Sequence, residues 1–139
     1  MNGDIVLVDA GPLVSWMIGD DQHHRWATEQ VELLRPPLLT CEAVLSEASH
    51  ILEREGEDAV AVLDVVQHGV VEIAFSLEDN LAEVKALMRR YRDVPMSLAD
   101  ACLVRMSELH RRCRIMTTDG DFRLYRRNAR QVIPLLAPW

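Results

Sequence analysis

Five acids in this chain sit where carboxylates can do chemistry. Asp9 closes the apolar run Ile5-Val6-Leu7-Val8. Glu47 lies in a helical segment, Asp100 follows Ser97 by three residues, and Asp119 and Asp121 bracket Gly120 after Thr117-Thr118. Each has a local structural reading. Aspartate after a strand is common turn or cap chemistry, Ser97-x-x-Asp100 has the form of a capping box, and Asp-Gly-Asp suits a tight turn. Glu47 differs, because its same-face neighbours Val44 and Ile51 place it on the edge of an apolar stripe, where a carboxylate needs a partner or a cation. Glu42, about 140° away around the same helix, cannot easily share a site with Glu47 and suits the first turn as a dipole-matched acid.

Positioning these acids is a matter of topology. The Ile5–Val8 run does not alternate, so it predicts a strand buried on both faces, in a parallel sheet whose carboxyl ends line a crevice. Pro12 suits the first turn of a helix that continues over Leu13–Ile18. Apolar spacing predicts further helices over Trp26–Leu34, Cys41–Glu55, Glu57–Gln67, from Ser76 or Leu77 to about Arg92, and from Ser97 to about Arg112. Strands are expected at Leu38–Thr40, Val70–Phe75 and Arg114–Thr118. A last helical turn through Phe122–Tyr125 and a closing edge strand at Val132–Leu135 complete the order. The result is a three-layer α/β domain spanning 1–139, with a central, mostly parallel sheet of four to five strands.

With right-handed crossovers, Asp9, Glu47, Asp100 and Asp119 can converge on one end of that sheet, with Asp121 beside them. Two carboxylates ~4 Å apart repel by ~4 kcal/mol at an effective dielectric of about 20, so such a cluster takes up protons or binds a cation. Oxygen donors without Cys or His select Mg²⁺ or Mn²⁺ over zinc. Cys41, Cys102 and Cys113 show no CxxC spacing and are expected as buried free thiols, and His23-His24 are too far apart around a helix to chelate.

Net charge is −7, yet residues 1–84 carry 17 acids and 3 bases while residues 85–139 carry 5 acids and 12 bases. A basic C-terminal part is compatible with gripping a polyanion, and equally with ordinary solvated helix faces. No apolar run spans a membrane and Met1-Asn2-Gly3-Asp4 is no signal peptide, so a cytoplasmic protein is expected.

Taken together, Val8-Asp9-Ala10-Gly11-Pro12-Leu13, Thr40 through Glu47, Ser97-Leu98-Ala99-Asp100-Ala101 and Thr117-Thr118-Asp119-Gly120-Asp121-Phe122 resemble the PIN-domain nucleases, in particular the VapC-like toxins of toxin–antitoxin pairs. The resemblance covers nearly the whole chain. It implies that Asp9, Glu47, Asp100 and Asp119 are metal-binding catalytic acids, with Asp121 auxiliary and Thr117 supporting. It further implies Mg²⁺ (or Mn²⁺), RNA as substrate, a cognate antitoxin and a homodimer. The chain departs from many relatives in having Ala10-Gly11-Pro12 where a Ser or Thr follows the first aspartate. Arg105, Arg123, Arg126 and Arg127 are the expected RNA-backbone contacts. Two Phe and two Tyr give little sign of an extended base-stacking platform.

Rival classes fit less well. A receiver-type switch needs a lysine after a late strand, and Lys85, the sole lysine, is mid-helix. A haloacid-dehalogenase-type phosphatase needs Asp-x-Asp where this chain has Asp9-Ala10-Gly11. Neither a G-x-G-x-x-G nor a P-loop occurs. A catalytically inactive PIN-like scaffold remains the main alternative.

Overall fold

The first strand, β1 (Ile5–Val8), is covered on both faces: Val6, Leu7 and Val8, which point alternately to opposite sides, are all buried. Only a sheet sandwiched between helices does this. The computed structural model describes residues 4–139, and within them five strands form one sheet in the order β3-β2-β1-β4-β7, every pair parallel. β2 is Leu38–Thr40, β3 Val71–Ile73, β4 Cys113–Met116 and β7 Leu135–Leu136. Two-residue strands β5 (Arg126–Arg127) and β6 (Gln131–Val132) pair separately as an antiparallel hairpin.

From β1 the chain builds outward through α1 (Ala10–Met17) and α2 (His24–Leu33) to β2. It continues through α3 (Glu42–Arg54) and α4 (Ala61–Gln67) to β3. It then returns by α5 (Leu81–Arg90) and α6 (Leu98–Leu109) to place β4 on the other side of β1. Strand order therefore reverses between β1 and β4, and it is outside the carboxyl ends of strands at such a reversal that open α/β sheets form their crevice. Asp9 stands at that point.

Local chemistry explains most boundaries. Asp9 accepts from the Ala10 N–H and starts α1 three residues before Leu13. Gly69, at φ 79°, turns the chain from α4 into β3. β3 is shorter than the expected Val70–Phe75, although the Val70 C=O and the Ala74 N–H still bond to β2 at Leu38 N–H and Thr40 C=O. α5 is preceded by a 3-10 turn at Glu78–Asn80, and α4 begins at Ala61 rather than Glu57. α6 ends at Leu109, three residues before Arg112.

The C-terminal part departs most from expectation. Arg126-Arg127 lie in a hairpin strand whose turn puts Asn128 and Ala129 at φ 50° and 67°. Val132–Leu135 is not one strand: Val132 pairs within the hairpin and Leu135 with β4, the two separated by Ile133 and Pro134. Pro134 has no N–H to give a ladder, and it contributes its carbonyl, which accepts from Ile115 N–H at 2.9 Å. Among the described residues no helix is long and apolar enough to cross a membrane.

Candidate metal-binding nuclease site

Asp9 is 5% exposed and makes two hydrogen bonds, one per oxygen: Oδ1 accepts from Ala10 N–H at 2.8 Å and Oδ2 from the Thr117 hydroxyl at 2.7 Å. Thr117, fully buried, also accepts from Asp119 N–H at 3.0 Å. One hydroxyl thus ties the end of β1 to the turn after β4. The Thr40 hydroxyl donates to Val8 C=O at 3.0 Å, pinning β2 beside the same strand end. Gly11 is the close-approach residue here. A Cβ at position 11 would collide with the Thr118 hydroxyl, so a side chain there would force Thr118 to shift where the first turn of α1 lies on the Thr117–Asp119 segment.

Asp100 fulfils the capping reading of its Ser97-x-x-Asp spacing with one carboxylate oxygen and keeps the other available. Asp100 N–H donates to Ser97 Oγ at 3.0 Å and Ser97 N–H to Asp100 Oδ2 at 3.2 Å, which is a complete capping box. The Tyr125 hydroxyl donates to that same Oδ2 at 3.1 Å. Oδ1 makes no hydrogen bond and is the oxygen left for a ligand. Asp119 caps too, its Oδ1 accepting from Asp121 N–H at 2.9 Å at the start of the 3-10 turn Gly120–Arg123. Glu47 projects from α3 into an open cleft of about 480 Å³ between α3 and the start of α6, with His50, Ser97 and Leu98 also on its wall.

The electrostatics show which acids face one another. Burial, opposed by the bonds from Thr117 and Ala10 and reinforced by Asp100 and Glu47, pushes Asp9 up to about 7. Desolvation and then repulsion from Asp100 and Asp119 raise Glu47, although it keeps contact with solvent. Burial also raises Asp100, outweighing the Ser97 and Tyr125 bonds, with Asp119 adding repulsion. Four of the five sequence-predicted acids therefore share one field. Asp121 lies two residues beyond Asp119, and its charge is felt by the Tyr125 hydroxyl, which burial and the neighbouring Asp100 hold well above its ordinary range.

No Lys, Arg or His side chain pairs with any of these acids: the three ion pairs among the described residues are Arg105–Glu83, Arg105–Glu108 and Arg112–Asp4. Among the described residues no three acid, His or Cys groups lie within common reach of one ion as the side chains stand. The donor chemistry nonetheless suits a hard divalent cation. It is all oxygen, it leaves Asp100 Oδ1 unbonded, and it gathers negative charge that burial makes costly without a counter-charge.

The expected RNA-binding arginines are not brought together. Arg105 is neutralised in a cage of Asn80 (2.8 Å), Glu108 (3.2 Å) and Glu83 (4.0 Å). Arg127 spends its guanidinium on Ser107 and Arg111 carbonyls at the amino end of β4, away from the acids. Arg126 donates to the carbonyls of Arg123, Leu124 and Tyr125. Arg123 alone of the four stands on the turn that carries Asp119 and Asp121. Counting bases by sequence region could not show where their donors are used.

Tyr125 is a candidate site residue that the sequence does not reveal. It is fully buried, packed edge-on against Tyr91 and Phe122 with centroids 5.2 Å away in each case. The apolar spacing of Phe122 and Tyr125 predicts packing, and only the fold shows that the hydroxyl meets Asp100.

Comparison with curated proteins finds no match. Among solved structures the fold resembles the Mycobacterium tuberculosis VapC20 toxin, described as cleaving the sarcin-ricin loop. The TM-score is 0.75 at 21% identity, over 84% of this chain and 91% of that one. The PIN domain family model matches residues 6–128, a span running from β1 through the acid cluster to the hairpin, and the chain therefore belongs to the PIN-domain family.

Proposed function

We propose that the chain is a metal-dependent endoribonuclease, the toxin of a toxin–antitoxin pair. The observation that carries this reading is the gathering of Asp9, Glu47, Asp100 and Asp119, none of them in an ion pair among the described residues, outside the strand ends where the sheet reverses direction. These four would hold Mg²⁺ or Mn²⁺. When bound, the ion lowers the pKa of a water, polarises the scissile phosphate and stabilises the departing 3′ oxygen. Attack by water breaks the P–O3′ bond and leaves a 5′-phosphate and a 3′-hydroxyl.

The chain's own groups do the positioning. Thr117 fixes the rotation of Asp9 and anchors the Asp119 backbone, while Ser97 and Tyr125 hold one oxygen of Asp100 and leave the other free. Asp121 is an auxiliary acid at the rim. The likeness to VapC20, described as cleaving the sarcin-ricin loop, supports an RNA target; a cognate antitoxin, a homodimer and a cytoplasmic location are further parts of this proposal.

The separation of the acid side chains favours, as a second reading, a PIN scaffold that binds without cutting. One assay decides between them. Purified protein incubated with RNA and Mg²⁺ or Mn²⁺ should cut it, EDTA should stop the reaction, and Asp9→Asn should abolish it. Metal-independent cleavage that survives Asp9→Asn refutes the proposal, and the absence of any cleavage leaves the scaffold. Co-expression with the product of the adjacent upstream reading frame tests the pairing, through a co-purifying complex with suppressed cleavage.

A further inference from the structure

β7 runs parallel to β4, with Ile115 opposite Leu135 and Met116 opposite Leu136, so the chain leaving Leu136 emerges at the same end of the sheet as the chain leaving Met116. That is the acid end. Three residues later stands Trp139, 53% exposed, with the Arg123 Cζ 4.8 Å from its ring centroid. Arg123 is folded back onto its own turn. Its Nε lies 3.5 Å from the Gly120 carbonyl oxygen, and its Nη2 would stand 3.0 Å from a Cβ at Gly120, the residue between Asp119 and Asp121. The guanidinium is therefore layered between the backbone of the catalytic turn and an indole.

Two properties separate this pair from an ordinary surface contact. Arg123 makes no ion pair among the described residues although two aspartates flank Gly120. It is a cation held in place by a ring and a carbonyl, with donors to spare. Trp139 meanwhile is exposed as a residue, with Arg123 over its ring. A guanidinium fork suits phosphate and an open indole face suits a nucleobase, and here the two adjoin the carboxylates.

We infer that Arg123 and Trp139 form a nucleotide subsite beside the acid cluster, Arg123 taking a backbone phosphate next to the scissile one and Trp139 stacking the adjoining base. The inference rests on the ribonuclease reading and adds the substrate class to it. A base can stack on Trp139 only if it is out of a duplex, so the substrate is single-stranded or looped RNA. Two Phe and two Tyr give little sign of an extended stacking platform; the one ring used here is a tryptophan.

The test uses the full chain carrying Asp9→Asn and two fluorescein-labelled probes, randomised single-stranded RNA and a blunt RNA duplex, with binding followed by anisotropy. Adding Trp139→Leu should weaken single-strand binding about 5- to 100-fold and leave duplex binding little changed, while Trp139→Phe keeps most of the affinity. In the cleaving protein, Trp139→Leu should lower kcat/KM through KM. Arg123→Ala should weaken both probes and make log K less steep in log salt by roughly one phosphate contact. If the parent cleaves RNA and Trp139→Leu binds single strands as before, the subsite is wrong and the nuclease reading stands. If Trp139→Phe loses as much as Trp139→Leu, stacking is refuted. If the parent neither cuts nor binds RNA, the nuclease reading falls first and takes the subsite with it.

Discussion

The two ends of the sheet are built on opposite electrostatic plans. At the amino end acids and bases meet: Arg112 approaches Asp4 at 3.5 Å, Arg127 donates to two carbonyls, and Glu108 accepts from both Arg105 and the Asn128 N–H, although Asp4 Oδ1 and the Nε atoms of Arg114 and Arg127 are buried without a hydrogen bond. At the carboxyl end Asp9, Glu47, Asp100 and Asp119 repel one another and, among the described residues, none of them forms an ion pair, even though Arg123 stands on the same turn as Asp119. A fold selected for stability alone would not leave one end so unbalanced. The difference teaches that the acid end costs folding free energy and that the rest of the sheet offsets it.

Substitutions can break that contrast. The largest effect is expected from Asp9→Asn, which should reduce RNA cleavage by ~10³-fold or more, several kcal/mol of transition-state stabilisation. It should also remove a pH dependence of stability. Asp9 in the folded, metal-free chain is raised from 3.8 to about 7, so the folded state keeps a proton that the unfolded chain releases. Its stabilising contribution is full below the unfolded value and is lost as pH climbs from about 4 to 7, by up to roughly 4 kcal/mol. Melting in EDTA across pH 5–8 should therefore show Tm falling with pH in the parent and falling less in Asp9→Asn. A parent that grows more stable over that range contradicts the burial of a charged Asp9.

Tyr125→Phe comes next. It keeps the ring among Tyr91 and Phe122 and deletes the hydroxyl that steadies Asp100, so Mn²⁺ affinity by calorimetry, or activity at low Mn²⁺, should drop about 10- to 100-fold. Unchanged affinity would reduce Tyr125 to a core residue. Metal itself should stabilise: Mn²⁺ at 100 times its Kd adds about 2.7 kcal/mol, read as a rise in Tm that Asp9→Asn largely abolishes. The smallest effect belongs to the other end. Arg127→Ala should cost ~1–2 kcal/mol in denaturant melts through lost bonds to Ser107 and Arg111, with kcat for RNA unchanged. A kcat loss there would mean that the two ends are not independent.

The pattern of what could be read beforehand follows the range of the interactions. The non-alternating Ile5–Val8 run was enough to place Asp9 at a buried strand end, and helical spacing was enough to set Glu47 at the margin of α3's apolar face. Both are local signals. Asp100 is ambiguous in the sequence because a cap needs only one oxygen of a carboxylate and leaves the other open, and spacing cannot distinguish oxygens. Tyr125 meets Asp100 across 25 residues of chain, and Arg105 and Arg127 are occupied by groups whose proximity only the packing decides. The hairpin around Asn128-Ala129 escaped notice because its left-handed residues include an alanine where a glycine would have announced the turn.

Three of the acids also begin pieces of helix: Asp9 starts α1, Asp100 closes the box at α6, and Asp119 opens the turn after β4. Asparagine performs the capping task about as well as aspartate. A single exchange of oxygen for an amide at any of the three would erase negative charge while leaving the architecture standing. A lineage built this way can fall silent in one step and still be inherited as a sound, foldable shape, so in such chains it is the charge of these side groups, and not the outline of the molecule, that records whether the chemistry survives.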